Sequence, residues 1–596
     1  MHNPVPPAPP AARHTAPALQ QLDYTSLRAV LAELGPVIVP SRFEKAQQSD
    51  AQTLQLGLRG LQGTQWLELS WLAEAPRLLA IPPPPRQGDG STLAQQLQHG
   101  LRGLALVALH QPAWERVVEL HFAPRPGEPV ERSLLLELMG RHSNLFLLDG
   151  PGGAVIALGR QVKGNQSRLR PIGTGDPYQL PPPLGGEPPS LAEPEARWRE
   201  RLQLLPLPLE RALRDAYQGI SPALARQLAP AAWLEQPVNA LTGEQWQQLW
   251  CQWQAWLGAI EAGRFAWQAA EGGYRCWQPP QAGQPPPQAM PAGPASLATA
   301  ASLPLNSAMA AFYRQGLAQR HLGQRRQQLE HRLSLAAERE RRQAADQQRL
   351  LSRVPESEQL QLQADALLSQ RQPSRDCIDQ AQALYRQARK LRRSVAAITP
   401  RLEEHQRRLG ALEASLTYLE QLSLDEPGSL EAIEALAAEV DDQLGRPGAN
   451  RRERRQSAQA AQAAAGQPQP LEVRSPGGLP LQVGRNHRQN EWIAFRQARR
   501  GDLWFHAQEL PGSHVVLKSS EASASDADLQ AAADLAAHFS RGRANRRVPV
   551  VMVPTTDLQR IPGSAPGTVR HRGGEVLWGE PERALTLLAP RPEEAR

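Results

Sequence analysis

The chain has 596 residues, which gives room for about three or four domains that each bury a core of their own. Its net charge of +7 and its pI of about 9.6 favour a polyanionic partner only weakly, because the excess is small for this length. The three cysteines lie far apart and the apolar runs fall short of the roughly 18 residues of a membrane helix, which argues against a disulfide-rich secreted domain and a membrane-spanning protein. We expect a cytoplasmic protein with reduced thiols.

The N-terminal segment, residues 1–20, is rich in Pro and Ala and lacks the charged and apolar regions of a secretory signal, so we expect a disordered tail. Residues 21–189 begin with a helical pattern after Asp23 and continue with strand patterns such as 116–122 and 133–138. Turns that contain Pro-Gly or Gly-Gly separate these strands, as in hairpins. The pattern predicts a mixed α/β domain with a largely antiparallel sheet.

Residues 190–277 are rich in Leu and Trp and predict a helical domain. Within it, the segment 219–222 indicates a tight turn, followed by a helix that Ser221 caps and Pro222 starts. A helix–hairpin–helix turn of this kind can direct backbone N–H groups at a phosphate, although a simple corner between helices explains it as well. Residues 278–304 have the composition of a linker.

The clearest periodic signal lies in the region predicted as a coiled-coil arm, residues 305–430. From Ala381 to Leu419, apolar residues occupy the a and d positions of a heptad repeat, with His405 as the polar exception. Pro400 lies inside the repeat and is expected to kink or break the helix. We predict a long antiparallel coiled coil that provides reach, with a purely structural spacer as the alternative.

The partner helix of this arm is predicted over 322–351, and a small insertion over about 355–373 joins the two helices. A polar segment rich in Ala, Gln and Arg follows, and we interpret 431–470 as a second linker. The last domain, 471–596, has strand patterns and one helical pattern over 528–539, which together predict a small α+β fold.

Two strand-like runs in this last domain converge on the turn Pro511-Gly512, which would set His506 and His514 close together. Such histidines could be metal ligands or general bases. No cysteine or compact carboxylate cluster completes a metal site in the sequence, so we expect histidines that only satisfy the turn. No phosphate-binding loop of the GxxxxGK[ST] type occurs either.

Short motifs in each region resemble those of the NFACT family, in the order that the family has them. The matching segments are Asp23 with the helix after it, 137–144, 177–182, 219–222, 483–486, 490–491, 502–506, 511–517 and 531–540. The motif residues of the C-terminal domain are Asp502, Trp504, His506, Gly512 and His514. The resemblance implies an α+β multidomain protein with a helix–hairpin–helix domain, the coiled-coil arm and a C-terminal RNA-binding domain.

The resemblance also implies a function in ribosome quality control. Family members of the RqcH type bind a large (50S) ribosomal subunit that still holds a peptidyl-tRNA, and they recruit alanine tRNA for a template-independent C-terminal alanine tail that marks the product for degradation. The ribosome would make the peptide bonds, so we expect a binding factor without catalytic residues, metal or cofactor.

A neighbouring Asp-Arg pair contacts tRNA in the family, and the matching residues here are Glu115 and Arg116, with Asp23 nearby in the same site. Glutamate keeps the carboxylate but moves it one methylene further out, which leaves the choice of tRNA open. Without the resemblance, Glu115 and Arg116 would be interpreted as the solvated start of a strand.

Arginine clusters supply further candidate RNA contacts, since arginine binds phosphate with a planar fork and stacks on bases. These candidates are Arg141, Arg168, Arg170, Arg541, Arg543, Arg546 and Arg547. Each could equally be a solvated surface charge, and the excess of Arg over Lys is also explained by GC-rich coding, given the many Ala, Pro and Leu residues.

Two other classes of function remain as alternatives. A mixed β domain followed by a helical hairpin resembles DNA glycosylases of the formamidopyrimidine type, but the chain opens Met1-His2-Asn3 and lacks the four cysteines of their zinc finger. A surface fibronectin-binding adhesin is the second alternative, because relatives of the family carry that label. The lack of a signal segment and of a wall anchor in the sequence argues against export.

Overall fold

The computed structural model describes residues 18–86, 91–165, 170–182, 185–279, 303–369, 371–372, 374–422, 429–444, 468–561 and 566–588. The chain divides into two compact units, Met1–Ala318 and Gln319–Arg596. Most of the predicted N-terminal tail, most of the first predicted linker, and Arg168 lie outside the described residues.

The first unit contains a nine-stranded sheet. Its strands are β1 (Ser41–Asp50), β2 (Thr53–Gly60), β3 (Gly63–Ser70), β4 (Arg77–Ile81), β5 (Ala105–His110), β6 (Val117–Ala123), β7 (Arg132–Glu137), β8 (Asn144–Leu148) and β9 (Val155–Leu158). They lie in the order β4-β3-β2-β1-β5-β6-β7-β8-β9, and neighbouring strands are antiparallel. The largely antiparallel sheet predicted from the sequence is therefore confirmed.

Two helices, α1 (Tyr24–Ile38) and α2 (Thr92–Gly100), contribute to the core of this sheet. The helical stripe predicted after Asp23 is the buried side of α1, since Leu27, Val30 and Leu34 are fully buried. The hydrophobic periodicity therefore positions α1 on the sheet, and it places the start of α1 close to the residues that precede β6.

A helical part follows in the first unit. Its elements are α3 (Glu195–Leu202), α4 (Leu209–Ala216), α5 (Pro222–Leu228), α6 (Ala231–Leu234), α7 (Gly243–Glu261) and the hairpin β10 (Phe265–Ala270) and β11 (Gly273–Trp277). Its core is dominated by tryptophan, with Trp198, Trp246, Trp253 and Trp256 almost fully buried. The hairpin was not predicted, because its short strands lie directly after a strong helical pattern.

Four helices connect to the final domain: α8 (Pro304–Ser352), α9 (Glu356–Leu368), α10 (Arg375–Gln421) and α11 (Ser429–Leu444). The expected break at Pro400 is absent, since α10 continues through it. Proline removes a single backbone donor, and the buried side chains Ile398 and Leu402 on either side of it hold the helix. No helix that the structure describes is both long and apolar enough to cross a membrane.

The predicted insertion and the start of the second predicted linker are also helical, as α9 and α11. Ile433, Leu436 and Val440 of α11 are almost fully buried in a cluster with residues of α8 and α10. The linker interpretation of 431–444 is corrected for this reason. The spacing of these three residues is that of one helix face, and the polar composition of the residues after 444 concealed it.

The second unit ends in a six-stranded antiparallel sheet. Its strands are β12 (Leu471–Arg474), β13 (Pro480–Val483), β14 (Leu503–Ala507), β15 (Val515–Leu517), β16 (Val548–Pro554) and β19 (Glu575–Gly579), in the order β12-β13-β15-β14-β16-β19. A separate hairpin consists of β17 (Leu558–Arg560) and β18 (Val569–His571). The helices are α12 (His487–Phe495), α13 (Asp526–His538) and α14 (Ala584–Leu588).

The two faces of this sheet are covered differently. Helix α13 packs on one face, where Phe505, Val515 and Leu517 form the core with its alanines. On the other face, residues of α12 pack with Trp504 and Val516 in a smaller cluster. Alternation along each strand therefore decides which side chains lie under α13 and which lie on the second face.

Candidate nucleic-acid interface

One carboxylate, Asp23, joins the N-termini of two helices in the first unit. Its Oδ1 accepts a hydrogen bond from the Ser26 amide at 2.9 Å, and its Oδ2 accepts one from the Ser221 hydroxyl at 2.6 Å. The Ser221 hydroxyl oxygen in turn accepts from the Leu224 amide at 2.9 Å, so Ser221 caps α5 as predicted. With 4% of its surface exposed, Asp23 organises this site from within.

The turn before Ser221 packs closely against an aromatic pair. Gly219 has φ of 74°, and a Cβ added there would lie 2.9 Å from Cε3 of Trp114, so only glycine fits without rearrangement. Trp114 itself has φ of 60° and stacks on Tyr24, with ring centroids 4.6 Å apart. The tight turn, the residue before Glu115 and the start of α1 therefore meet at one place.

Glu115 and Arg116 lie between this aromatic pair and β6, and both are half-buried. Burial lowers the pKa of Arg116, and the negative charges of Asp23 and Glu115 oppose that shift. Burial raises the pKa of Glu115, the charge of Arg116 opposes it, and the charge of Glu137 adds to it. Neither side chain forms a hydrogen bond or an ion pair with another described residue, so both can bind an external polar group.

Arg170 has a different environment from the one expected of an RNA contact. Its Nη1 and Nη2 donate to the two carboxylate oxygens of Glu137 at 2.9 and 2.7 Å, and it also donates to the Gln179 carbonyl. The guanidinium lies over the rings of Phe146 and Tyr178. Its planar fork is used inside the domain, so we replace the predicted RNA contact with a structural role.

Arg141 of the same domain is exposed and donates from Nε to Nε2 of His142 at 3.0 Å. This contact is with a neighbouring residue at the surface, and it leaves the Arg141 side chain accessible to a partner.

In the C-terminal domain, Asp502 is fully buried and holds a turn together. Its carboxylate accepts hydrogen bonds from the amides of Arg499 at 2.8 Å and Ser520 at 3.1 Å, and it pairs with Nζ of Lys518 at 3.2 Å. Gly512 is required for packing, because a Cβ there would lie 2.9 Å from the carbonyl oxygen of Phe539. Both motif residues therefore support the fold.

His506 lies on β14, and His514 directly precedes β15. Their ring centroids are 5.3 Å apart, close together as predicted from the turn between them. Trp504 stacks on His506 at 5.6 Å and contacts His514 edge-on at 5.0 Å. Burial lowers the pKa of His506 to about 4 and the pKa of His514 well below its usual value, so both rings are neutral at pH 7. Among the described residues, no three His, Cys, Asp or Glu side chains are grouped to hold a metal ion.

The four arginines of the loop between α13 and β16, which we call the arginine loop, are all exposed: Arg541, Arg543, Arg546 and Arg547. Arg541 lies 3.5 Å from a carboxylate oxygen of Glu413, and Arg547 pairs with Glu580 at 3.0 Å. Arg543 and Arg546 form no ion pair with any residue in the described part of the chain.

Sequence reasoning missed two exposed apolar residues of β19 in this domain. Val576 and Trp578 expose 50% and 56% of their surface, whereas Leu577 between them packs in the core below α13. The sequence signal that could have found them is the run of consecutive apolar residues in this edge strand. A strand with one solvated face would instead alternate apolar and polar residues.

Solved structures of streptococcal proteins are similar to separate halves of the chain. The C-terminal part of the fibronectin/fibrinogen-binding protein from Streptococcus suis covers 45% of this chain and 98% of its own, at 26% identity and a TM-score of 0.37. The N-terminal part of the same protein covers 49% of this chain and 99% of its own, at 20% identity and a TM-score of 0.36.

Curated relatives match over nearly the whole length. A protein named Rqc2 homolog RqcH from Streptococcus pneumoniae (strain ATCC BAA-255 / R6) is 25% identical over 587 residues, covering 93% of this chain and 97% of that protein. A protein of the same name from Streptococcus suis (strain 05ZYH33) is 24% identical over 594 residues, covering 92% and 96%.

Two family models match the chain. The model of the NFACT N-terminal and middle domains matches residues 23–376, from the Asp23 cap into α10. The model of the NFACT protein RNA binding domain matches residues 473–573, which include the paired histidines and the arginine loop. Since the first model alone covers more than half of the sequence, the chain belongs to the NFACT family.

Proposed function

We propose that this protein is a cytoplasmic ribosome quality-control factor that binds tRNA on a large (50S) ribosomal subunit still holding a peptidyl-tRNA. Its membership of the NFACT family and its match to that family's RNA-binding domain support a role in RNA binding. The name of its nearly full-length relatives, Rqc2 homolog RqcH, supports the link to ribosome quality control.

The observation that carries the proposal is the state of Arg116. A half-buried guanidinium with no hydrogen-bond partner among the described residues loses solvation, and that loss is offset when a ligand supplies the missing acceptors. A phosphate or the edge of a guanine matches its planar fork, and Glu115 next to it can accept from a base amino group. The pair therefore suits contact with a nucleotide.

The recruited molecule in this proposal is alanine tRNA, which supports a template-independent alanine tail that marks the nascent chain for degradation. Holding a tRNA in place raises its local concentration and fixes its orientation, and the ribosome's own centre then makes the peptide bonds. The protein thus acts as a binding factor and not as an enzyme. Glu115 is one methylene longer than the aspartate that the family has at this position. The identity of the bound tRNA is therefore the part of the proposal that most needs a measurement.

We further propose that α8 to α10 form an antiparallel coiled-coil arm which contacts the subunit. Support comes from pairs between the helices, such as Arg341 with Glu413 at 2.8 Å and His405 with Glu340 at 2.7 Å. The heptad residues Ala381, Leu412 and Leu419 are almost fully buried. A helix of the length of α10 extends about 70 Å, which gives considerable reach for little buried area.

In the same proposal, the turn before α5 is a helix–hairpin–helix element that binds a phosphate. Its support is geometric, since the hydroxyl of Ser221 satisfies only one of the free amides at the helix start. The ring of Trp114 packs on Gly219, so this turn lies next to the residue that precedes Glu115 and Arg116.

The test is to purify the full-length protein from cells with stalled translation and to sequence the RNA bound to it. We expect large-subunit rRNA and an enrichment of alanine tRNA. In Arg116→Ala, recovery of tRNA should fall about tenfold while rRNA is retained, because one bidentate contact is lost. Arg102→Ala, which removes an exposed arginine of the same domain, is the matched control.

Each outcome has a distinct consequence. Protein recovered without RNA from these cells would overturn the proposed function. Unchanged tRNA recovery in Arg116→Ala, or an equal loss in Arg102→Ala, would remove Arg116 from the site. Enrichment of a different tRNA would keep the binding role and replace alanine as the transferred residue.

A further inference from the structure

The exposed side chains of β19 continue the second face of the C-terminal sheet. Trp578 pairs with Pro549, and Val576 pairs with Val551, which in turn pairs with His506 of β14. Because side chains alternate along a strand, these residues share one face, while Leu577 and Glu575 belong to the other. We call the part of this face around Pro549, Val576 and Trp578 the open face, and His506 lies at its inner border, where the sheet is covered.

Coverage of the sheet stops part of the way across. Trp504, Val516, Val551 and Val553 are at most 6% exposed in the cluster with α12. Val576 and Trp578 on the neighbouring edge strand are about half exposed. Large exposed apolar residues on an edge strand favour aggregation unless they serve as a binding surface. The open face is therefore a candidate contact surface.

Charge next to the open face is positive. The arginine loop ends at Arg547, directly before β16, and Trp578 is paired with the second residue of that strand. Arg543 and Arg546 form no ion pair among the described residues, and the same holds for Arg570 and Arg572 in the segment before β19. Glu580, directly after β19, pairs with Arg547 and Arg583, and the exposed Glu575 of β19 belongs to the other face.

The histidine at the inner border of the open face adds an uncharged ring. His506 is stacked on Trp504, and burial lowers its pKa to about 4, so the ring that borders the open face is neutral at physiological pH. His571 lies on the same side, with its ring 6.0 Å from that of Trp504. A flat aromatic surface bordered by unpaired arginines suits a ligand that combines a planar ring with a phosphate.

We propose that the open face stacks an unpaired nucleotide of RNA, with Trp578 against the base and the arginine loop against the phosphates. Exposed aromatics bind single-stranded RNA in this way because every base has a π-face, and a paired base inside a duplex cannot offer it. The inference rests on the proposed RNA-binding function and deepens it, because it assigns the contact to a surface other than the Arg116 site. A protein partner would be attracted by the apolar pair but would not need the surrounding positive charge.

The test uses the full-length protein and a fluorescein-labelled, unstructured RNA of about a dozen nucleotides, with binding followed by anisotropy at several salt concentrations. Trp578→Ala should weaken binding about tenfold, since one stacking contact is lost. Trp578→Phe should restore most of the affinity. Leu585→Ala is the matched control, because Leu585 of α14 is also 56% exposed but lies outside the open face. Arg543→Ala combined with Arg546→Ala should reduce the salt dependence of binding.

The inference is overturned if Trp578→Ala binds the probe as tightly as the unchanged protein does, if a duplex RNA of equal length binds as well as the single strand, or if no probe binds at all. Equal thermal unfolding midpoints for the variants would show that the domain stays folded. Failure of this inference is distinguishable from failure of the proposed function. If the protein carries tRNA from cells but Trp578→Ala does not weaken probe binding, only the assignment of the open face is rejected. If the protein carries no cellular RNA, the proposed function is rejected.

Discussion

In the first unit, Arg116 is half-buried beside a carboxylate that caps one helix and binds the cap of another, whereas in the second unit Trp578 is exposed at the edge of a sheet. The first arrangement fixes an arginine and a glutamate at defined positions, which suits recognition of particular polar groups. The second offers an apolar ring beside exposed positive charges, which suits sequence-tolerant stacking. Selectivity is thus expected from the first unit and general affinity for RNA from the second.

The two regions share one feature. In each, the acidic residue of the motif is buried and organises the site, as Asp23 does through two helix starts and Asp502 through a turn and a lysine. Arg116 lies near Asp23, whereas Trp578 pairs with the start of β16 and Asp502 lies beside the strand residue that pairs with its end. Variants of the buried acids should therefore act on stability, whereas variants of Arg116 and Trp578 should act on binding.

The largest effect is expected for Asp502→Ala. The change leaves the ammonium group of Lys518 buried without its partner and frees the amides of Arg499 and Ser520, which should destabilise the second unit by about 3–5 kcal/mol. Chemical denaturation followed by circular dichroism measures it. The exposed Asp557→Ala is the control and should change stability by less than about 0.5 kcal/mol. Equal effects of the two changes would refute a structural role of Asp502.

Acid should destabilise the second unit through its paired histidines. The unfolded chain takes up protons near pH 6.5, whereas burial lowers the folded pKa of His506 to about 4 and that of His514 also well below normal. Their contribution is therefore complete above pH 6.5 and declines as the pH falls towards 4. His506 alone should cost about 2 kcal/mol between pH 6.5 and 5.

A second group in this unit has the opposite sign. Burial raises the pKa of Glu439 to about 7, so its contribution to stability declines as the pH rises from about 4.5 to 7. The measurement is therefore the difference in stability between the unchanged protein and His506→Phe across this range. A difference that does not vary with pH would contradict neutral burial of His506.

A smaller effect is expected for Asp23→Ala, about 2 kcal/mol in the first unit, because the caps of α1 and α5 are both weakened. Asp23→Asn retains an acceptor for the Ser26 amide and should lose less than half as much. Thermal unfolding measures both variants. Equal destabilisation by Asp23→Ala and Asp23→Asn would contradict this expectation. It would indicate that the negative charge near Arg116 contributes more to stability than the hydrogen bonds do.

Much of the fold could be predicted from periodicity. The strands β6 and β7 begin and end within one residue of the predicted limits, and the helix after Asp23 was predicted correctly. The missed elements are short or lie next to stronger signals, such as the hairpin β10–β11 after α7 and the helix α11 at the start of a region interpreted as a linker. Local pattern is weak where the decisive contacts come from residues distant in the chain.

The candidate sites were less predictable. Arg116 could be selected only through the family resemblance, since its local pattern is that of a strand start. Arg170 was selected for its charge, but its partner Glu137 lies 33 residues away in the sequence and only the fold brings them together. The exposure of Trp578 depends on how far the sheet is covered by other elements, which the sequence around Trp578 does not contain.

The hydrogen bond between Asp23 and Ser221 spans 198 residues of sequence. A graft that exchanges the tryptophan-rich helices for those of another member would break this link unless the incoming helices carry a hydroxyl residue at the position of Ser221. Amide exchange at the beginning of α1 and at the beginning of α5 should accordingly slow or quicken together, so that two segments encoded far apart behave as a single cooperative element.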